Sequence, residues 1–134
     1  MTNVSEENET QPHGTIVLPW PKPPMSMNAR DHWAVKAEKV AAVREAVRLL
    51  ARPHALRLAQ AIGTPVEVEL CWEVTDKRRR DVDNAVATLK PAIDGLRDAG
   101  ILADDNSAVV VKAFCSICRG DRKGLVLIVR PVGG

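Results

Sequence analysis

Pro65-Val66-Glu67-Val68-Glu69-Leu70-Cys71-Trp72-Glu73-Val74 alternates without a break. Val66, Val68, Leu70, Trp72 and Val74 take one side, while Glu67, Glu69, Cys71 and Glu73 take the other, as in a half-buried strand. The polar side is either solvated or lines a site. Beyond the charged turn Asp76–Arg80 the period changes. Val82, Val86, Leu89, Ile93 and Leu96 recur at spacings of four, three, four and three, which predicts a helix with these residues inward. Pro91 falls inside it and should kink or split it near Lys90. Gly100 supplies the stop, and Ala108–Ile117 reads as the next strand.

Working outward, Gly120–Gly124 is a turn before a last strand, Leu125–Val129. Upstream, Thr15–Leu18 reads as a short strand running into the proline-rich stretch 18–24, which must be extended because each proline fixes φ and lacks a donor. A long helix is expected over Asp31–Ala51, its apolar stripe carried by Val40, Val43, Val47 and Leu50. Pro53 either ends it or opens a second short helix over His54–Ala61. The expected fold is α+β, a single domain with a mixed β-sheet covered by helices.

Composition narrows the function classes. The chain has 134 residues, 46% hydrophobic and 27% charged, which suits one globular domain. Residues 1–14 are polar and acidic and read as a disordered tail, leaving 15–134 as the domain. Nothing in the tail resembles a signal peptide and no apolar run could span a bilayer, so the expected address is the cytoplasm, without a membrane partner. Glu6, Glu7 and Glu9 mask a basic remainder: of a net +2, residues 15–134 carry +5. That is compatible with a nucleic-acid partner. Aromatics are Trp20, Trp33, Trp72 and Phe114 alone, too few for base stacking along a single strand, and the tryptophans read as core or interface anchors. Three cysteines argue against a disulfide framework. Cys115 and Cys118 have CxxC spacing, but residues three apart on a strand face opposite ways and cannot share a metal.

The chemistry concentrates in Lys77-Arg78-Arg79-Arg80-Asp81-Val82-Asp83-Asn84, followed by Lys90, Asp94 and Asp104-Asp105. Four cations directly before two carboxylates are more than a solvated turn needs. Asp81 and Asp83 at a helix start could cap free amides, or they could join the second acidic pair in holding a divalent cation through oxygen. At 100° per residue from Val82, Asp83, Lys90 and Asp94 lie near 100°, 80° and 120°, one polar stripe beside the expected apolar one. Lys90 and Asp94 could equally be a surface ion pair. A calcium loop starting at Asp81 fails, because Val86 stands at its glycine position and Ala92 at its last glutamate.

The run Arg80-Asp81-Val82-Asp83-Asn84, then Lys90, Asp94-Gly95-Leu96, Ala99-Gly100 and Asp104-Asp105 resembles the RusA family of Holliday junction resolvases. Leu18-Pro19-Trp20-Pro21 and Asn28 are similar to that family's N-terminal part. The resemblance implies a RusA-like fold over 15–134 and a Mg²⁺-dependent endonuclease, Mn²⁺ being able to substitute. It implies a homodimer acting on four-way junctions or other branched DNA. It assigns catalysis to Asp81, Asp83, Lys90 and Asp105, with the three aspartates as metal ligands. Asn84, Asp94 and Asp104 would support them, and Lys77, Arg78, Arg79 and Arg80 would contact phosphates. One spacing departs from the family. Five residues, Ala85–Leu89, separate Asn84 from Lys90 where the family has two, moving the amine about 4.5 Å along the helix. The rivals are a non-catalytic DNA-binding module of the same fold, and a nuclease specialised for forks or flaps.

Overall fold

The computed structural model describes residues 14–25, 32–62, 65–103 and 108–132. Strands β1 (Gly14–Val17), β2 (Val66–Val74), β3 (Val110–Arg119) and β4 (Gly124–Pro131) form one mixed sheet in the order β1-β4-β2-β3. Helices α1 (Trp33–Ala51), α2 (Ala55–Ile62) and α3 (Asp83–Ala99) complete it, with a short 3₁₀ turn, Arg52–His54, between α1 and α2. The fold is α+β, as the alternation of periods predicts. Asn28 and the N-terminal tail through residue 13 lie outside the described residues.

β2 and β3 run parallel, Leu70 opposite Cys115, so the chain must cross from one end of the sheet to the other between them. α3 makes that crossing. β4 pairs antiparallel with β2 and with β1 and so holds the sheet together across its middle. Val66, Val68, Leu70, Trp72 and Val74 are buried on the helix side with Leu125, Leu127 and Val129 of β4, as the alternation predicts. On the other side Arg130 ties Glu67, at 3.1 Å, and Glu69 together.

Two helix faces differ from the expected ones. In α1 the buried line is Val43, Val47 and Ala51, while Leu50 is exposed. In α3 it is Ala85, Thr88, Ala92, Leu96 and Ala99, with Ile93, while Val82 and Val86 are exposed. The inward face is thus turned by about 80° from the valine stripe. The reason is close packing. Gly95 lies against α1, where an added Cβ would stand 2.6 Å from the Arg44 carbonyl oxygen and 2.7 Å from the Val47 Cβ. Small residues therefore line the seam, and the larger valines are left outside. Arg44 also reaches across with two hydrogen bonds to Asp98, one of them 3.0 Å, and that guanidinium holds the Asp98 carboxyl below its ordinary pKa.

Pro91 does not split the helix: α3 runs unbroken from Asp83 to Ala99. Burial of Pro91, Ala92, Ile93 and Leu96 against the rest of the core offsets the lost hydrogen bond. Gly100 ends it as expected, with φ 92° and the Ile101 amide bonded back to the Leu96 carbonyl. Among the tryptophans, Trp72 is buried and Trp20 packs on the core, but Trp33 is 75% exposed at the start of α1 and is not part of the core among the described residues. No helix among the described residues is long and apolar enough to cross a membrane.

The seam gives a direct test. Gly95→Ala must push α1 and α3 apart and should destabilise the fold by about 1–3 kcal/mol. Denaturant unfolding measures it, and an unchanged midpoint would mean that the helices do not meet at Gly95.

Candidate metal and nucleic-acid site

The crossover fixes where the site residues stand. Parallel strands present ligands at their carboxyl ends. Here β2 ends at Val74, the turn 75–82 follows, and α3 begins at Asp83. The side chain that organises the turn is Arg80. Its Nη1 donates to Asp76 Oδ1 at 2.6 Å and to the Arg78 carbonyl at 2.8 Å, while its guanidinium lies 5.9 Å from the centre of the Trp72 ring. Asp76 also accepts the Arg78 amide at 2.9 Å. The Arg80 side chain is only 9% exposed. Sequence reading puts four cations in a row on DNA, whereas the structure divides them: Arg80 is built into the turn, and Lys77, Arg78 and Arg79 remain exposed.

Asp81 and Asp83 are exposed neighbours at the start of α3, and Asp81 Oδ1 accepts the Asp83 amide at 3.1 Å. That bond satisfies one free donor of the helix start, so capping is part of what Asp81 does. Asn84 belongs to the same first turn of α3; its side chain lies outside the described ones. Lys90 pairs with Asp94 at 3.1 Å, one turn apart, as the bland reading has it. Because the buried face of α3 is rotated, the angles of Asp83, Lys90 and Asp94 fall across the helix from its core side; Asp83 and Lys90 are exposed there, while the Asp94 side chain is only 15% exposed.

Asp104 and Asp105 lie outside the described residues. The described residues thus bring Asp81 and Asp83 together, and separately Lys90 and Asp94.

A groove of about 220 Å³ opens beside the turn, lined by Lys22, Arg78, Arg80 and Lys123 together with Trp72 and Glu73. Lys22 comes from the proline-rich stretch and Lys123 from the β3–β4 turn. Sequence reading missed both, since each is a single lysine in a loop. A larger, shallower concavity of about 470 Å³, at Arg79, Arg80 and Asp81, continues toward α3. Cations from three segments thus line the groove, and Arg80 joins it to the concavity that Arg79 shares with the exposed Asp81, an arrangement suited to a phosphate bridged by a metal ion.

The cysteines also depart from expectation. Cys71 and Cys118 are joined as a disulfide, their Cα atoms 6.3 Å apart on the face of the sheet away from the helices. Register explains it. Cys71 stands opposite Ser116 and Glu73 opposite Cys118, so two cysteines 47 residues apart become diagonal neighbours. Cys115 faces the other way as expected, with burial pushing its thiol pKa up to about 11.

The chain is 34% identical over 89 residues to a protein of Xylella fastidiosa (strain Temecula1 / ATCC 700964) described as uncharacterized. The match covers 63% of this chain and 56% of the relative, so the chain spans little more than half of that protein's length. No protein-family model matches the chain. The comparison supplies kinship without an activity.

The Arg80 clasp is open to measurement. Its hydrogen bond, with that from the Arg78 amide, lowers the Asp76 pKa from 3.8 to about 2. A carboxyl depressed on folding contributes stability above its unfolded value, and loses it as pH falls toward the folded one. The turn should therefore hold at pH 4 and loosen as pH approaches 2. NMR titration of Asp76 should show the low midpoint, and Arg80→Ala should raise it. A wild-type midpoint near 3.8 would mean that the clasp does not form.

Proposed function

We propose that this chain is a Mg²⁺-dependent endonuclease that cuts four-way junctions or related branched DNA as a homodimer. The observation that carries the reading is the exposed Asp81–Asp83 pair at the start of α3, beside a cationic groove assembled from three segments. The donor set fits the ion. Mg²⁺ keeps several waters and takes one or two carboxylates together with substrate phosphate, rather than a closed protein cage. Two exposed carboxylates meet that need, and Mn²⁺ would suit the same oxygens. When bound, the ion supplies a water acidified enough to give hydroxide, and a Lewis acid for the phosphate oxygens.

The protein's own groups divide the remaining work. Asp81 and Asp83 hold the ion where free helix amides also favour negative charge. Lys22, Arg78, Arg79 and Lys123 hold the phosphates flanking the cut, with Lys77 beside them. The roles of Lys90 and Asp105 in catalysis, and of Asn84, Asp94 and Asp104 in support, rest on the RusA resemblance. Symmetric cutting of a four-way junction needs two sites related by a two-fold axis. The apolar face of α1 around Trp33, Ala37, Val40 and Ala41 supports such a pairing. The proposed place of action is the cytoplasm. One observation favours the rival DNA-binding module: Asp81 already accepts a helix amide, which is all that a capping role requires. A nuclease on forks or flaps would use the same site and differ in substrate.

Cleavage of labelled four-way junctions, forks and flaps, with Mg²⁺ and with chelator, decides among these. Metal-dependent cutting is expected, and Asp81→Asn or Asp83→Asn should remove most of it while junction binding persists. Asparagine caps a helix about as well as aspartate, so a capping role leaves cutting intact. Binding without any cutting selects the module.

The groove makes a separate prediction about salt. Arg78→Ala and Lys123→Ala should each weaken DNA binding and reduce the slope of log affinity against log salt by about 0.9 per lost phosphate contact. Unchanged slopes in the double variant would remove the groove from the DNA interface.

A further inference from the structure

The sheet face away from the helices carries a second group of ligand atoms, sharing no residue with the Asp81–Asp83 pair. A carboxylate oxygen of Glu69 and the sulfurs of Cys71 and Cys118 all lie within 4.8 Å of one another. The sheet register makes this cluster. Glu69 and Cys71 point the same way two residues apart on β2, and β3 brings Cys118 alongside. We propose that, with the two cysteines as thiols, Glu69, Cys71 and Cys118 form a binding site for a borderline-soft divalent cation of the Zn²⁺ type.

The surroundings of these sulfurs go beyond what a disulfide needs. Two sulfurs and one carboxylate oxygen make a set of three ligands for a tetrahedral ion, whose fourth position is left to water. The carboxylate is already oriented. Ser116 Oγ donates to one Glu69 oxygen and Arg130 Nη2 to the other, as the outer partners of a metal-bound carboxylate do. Ser116 Oγ also lies 3.5 Å from Cys118 Sγ, so one hydroxyl touches two of the three ligands. Glu69 is only 12% exposed, and the Ser116 and Arg130 hydrogen bonds hold its carboxylate in place there. Two thiolates and a carboxylate are offset by a divalent ion together with the Arg130 guanidinium, which Glu67 shares. Cys118 is part-exposed, which leaves a way in for the ion.

The chemistry balances simply. A phosphine reductant gives two electrons to the Cys71–Cys118 disulfide and is oxidised with the oxygen of water, whose two protons leave the sulfurs as thiols. Metal binding then releases one proton from each thiol to solvent. Disulfide and metal are thus mutually exclusive states of the same two sulfurs.

The test uses the full chain, reduced with phosphine, freed of metal and titrated with Co²⁺ without oxygen in excess Mg²⁺. One equivalent should produce a thiolate-to-cobalt charge-transfer band with the d–d bands of a tetrahedral ion, and Zn²⁺ should displace it. Cys71→Ser and Cys118→Ser should each reduce the charge-transfer band or abolish it, and Cys115→Ser should leave it intact. Arg130→Ala should weaken binding by about 10–100-fold, and Glu69→Gln by at least about tenfold. The double variant Asp81→Asn/Asp83→Asn should keep the full spectrum, which separates this centre from the proposed nuclease site. Should a serine variant fail to fold, alkylation of wild type mapped by mass spectrometry serves instead, Zn²⁺ protecting Cys71 and Cys118 but not Cys115. No charge-transfer band in reduced wild type, loss of the band in Cys115→Ser, or no protection of the two thiols would overturn the proposal.

Discussion

The parallel pairing of β2 with β3 is the constraint on which the rest of the molecule depends. Two parallel neighbours cannot be joined by a hairpin, so the chain must return along one face of the sheet, and α3 is that return. Once α3 occupies the face, its N-terminus must stand at the carboxyl end of β2. Asp81 and Asp83 are therefore presented beyond the carboxyl end of β2, next to the turn and its cations, where the Asp83 amide bonds to Asp81. The same return covers one side of β2 and leaves the other without a helix among the described residues. A central strand with one covered side can keep glutamates on the other, and Arg130 and Ser116 then hold those glutamates in place.

What the sequence reveals follows from how local each feature is. The alternation of β2 and the period of α3 are local, and both were legible. So was the Asp81–Asp83 pair, because two residues in one helix start stay together whatever the fold. The exact inward face of α3 was not. Large apolar residues mark Val82 and Val86 as the stripe, but the seam with α1 is too narrow for them, and Gly95 with the alanines took it. That narrowness belongs to two helices 40 or more residues apart. Pro91 misled in a similar way: its local penalty is real, but burial around it is a tertiary term and larger. The pairing of Cys71 with Cys118 depends on strand register, so the nearer cysteine pair drew attention instead.

Arg80 shows how one cation can set the roles of its neighbours. A guanidinium has donors enough to bond a carboxylate and a carbonyl while resting on an aromatic face. With Arg80 doing this to Asp76, the Arg78 carbonyl and Trp72, the turn is fixed from inside. Lys77, Arg78 and Arg79 are then left exposed to solvent. Carboxylates and cations can thus stand close together without cancelling, which a phosphate-and-metal site requires. A row of four equivalent, mobile cations would instead tend to neutralise the two carboxylates.

The two proposed centres differ in a way that keeps their metals apart. Mg²⁺ is hard, holds its waters tightly and gains little from thiolate, so the sulfur cluster on the sheet does not compete for it. A Zn²⁺-type ion prefers the sulfurs, and carboxylate oxygens without a thiolate hold it far less well. Ligand chemistry alone therefore sorts the ions, without any difference in access. Position adds a second separation. One pair lies at a helix start beside loops, where substrate phosphate can complete the coordination. The other lies across two paired strands, whose register holds its ligands at fixed spacing. The first arrangement suits an ion that must take part in a reaction, and the second suits one that holds strands together.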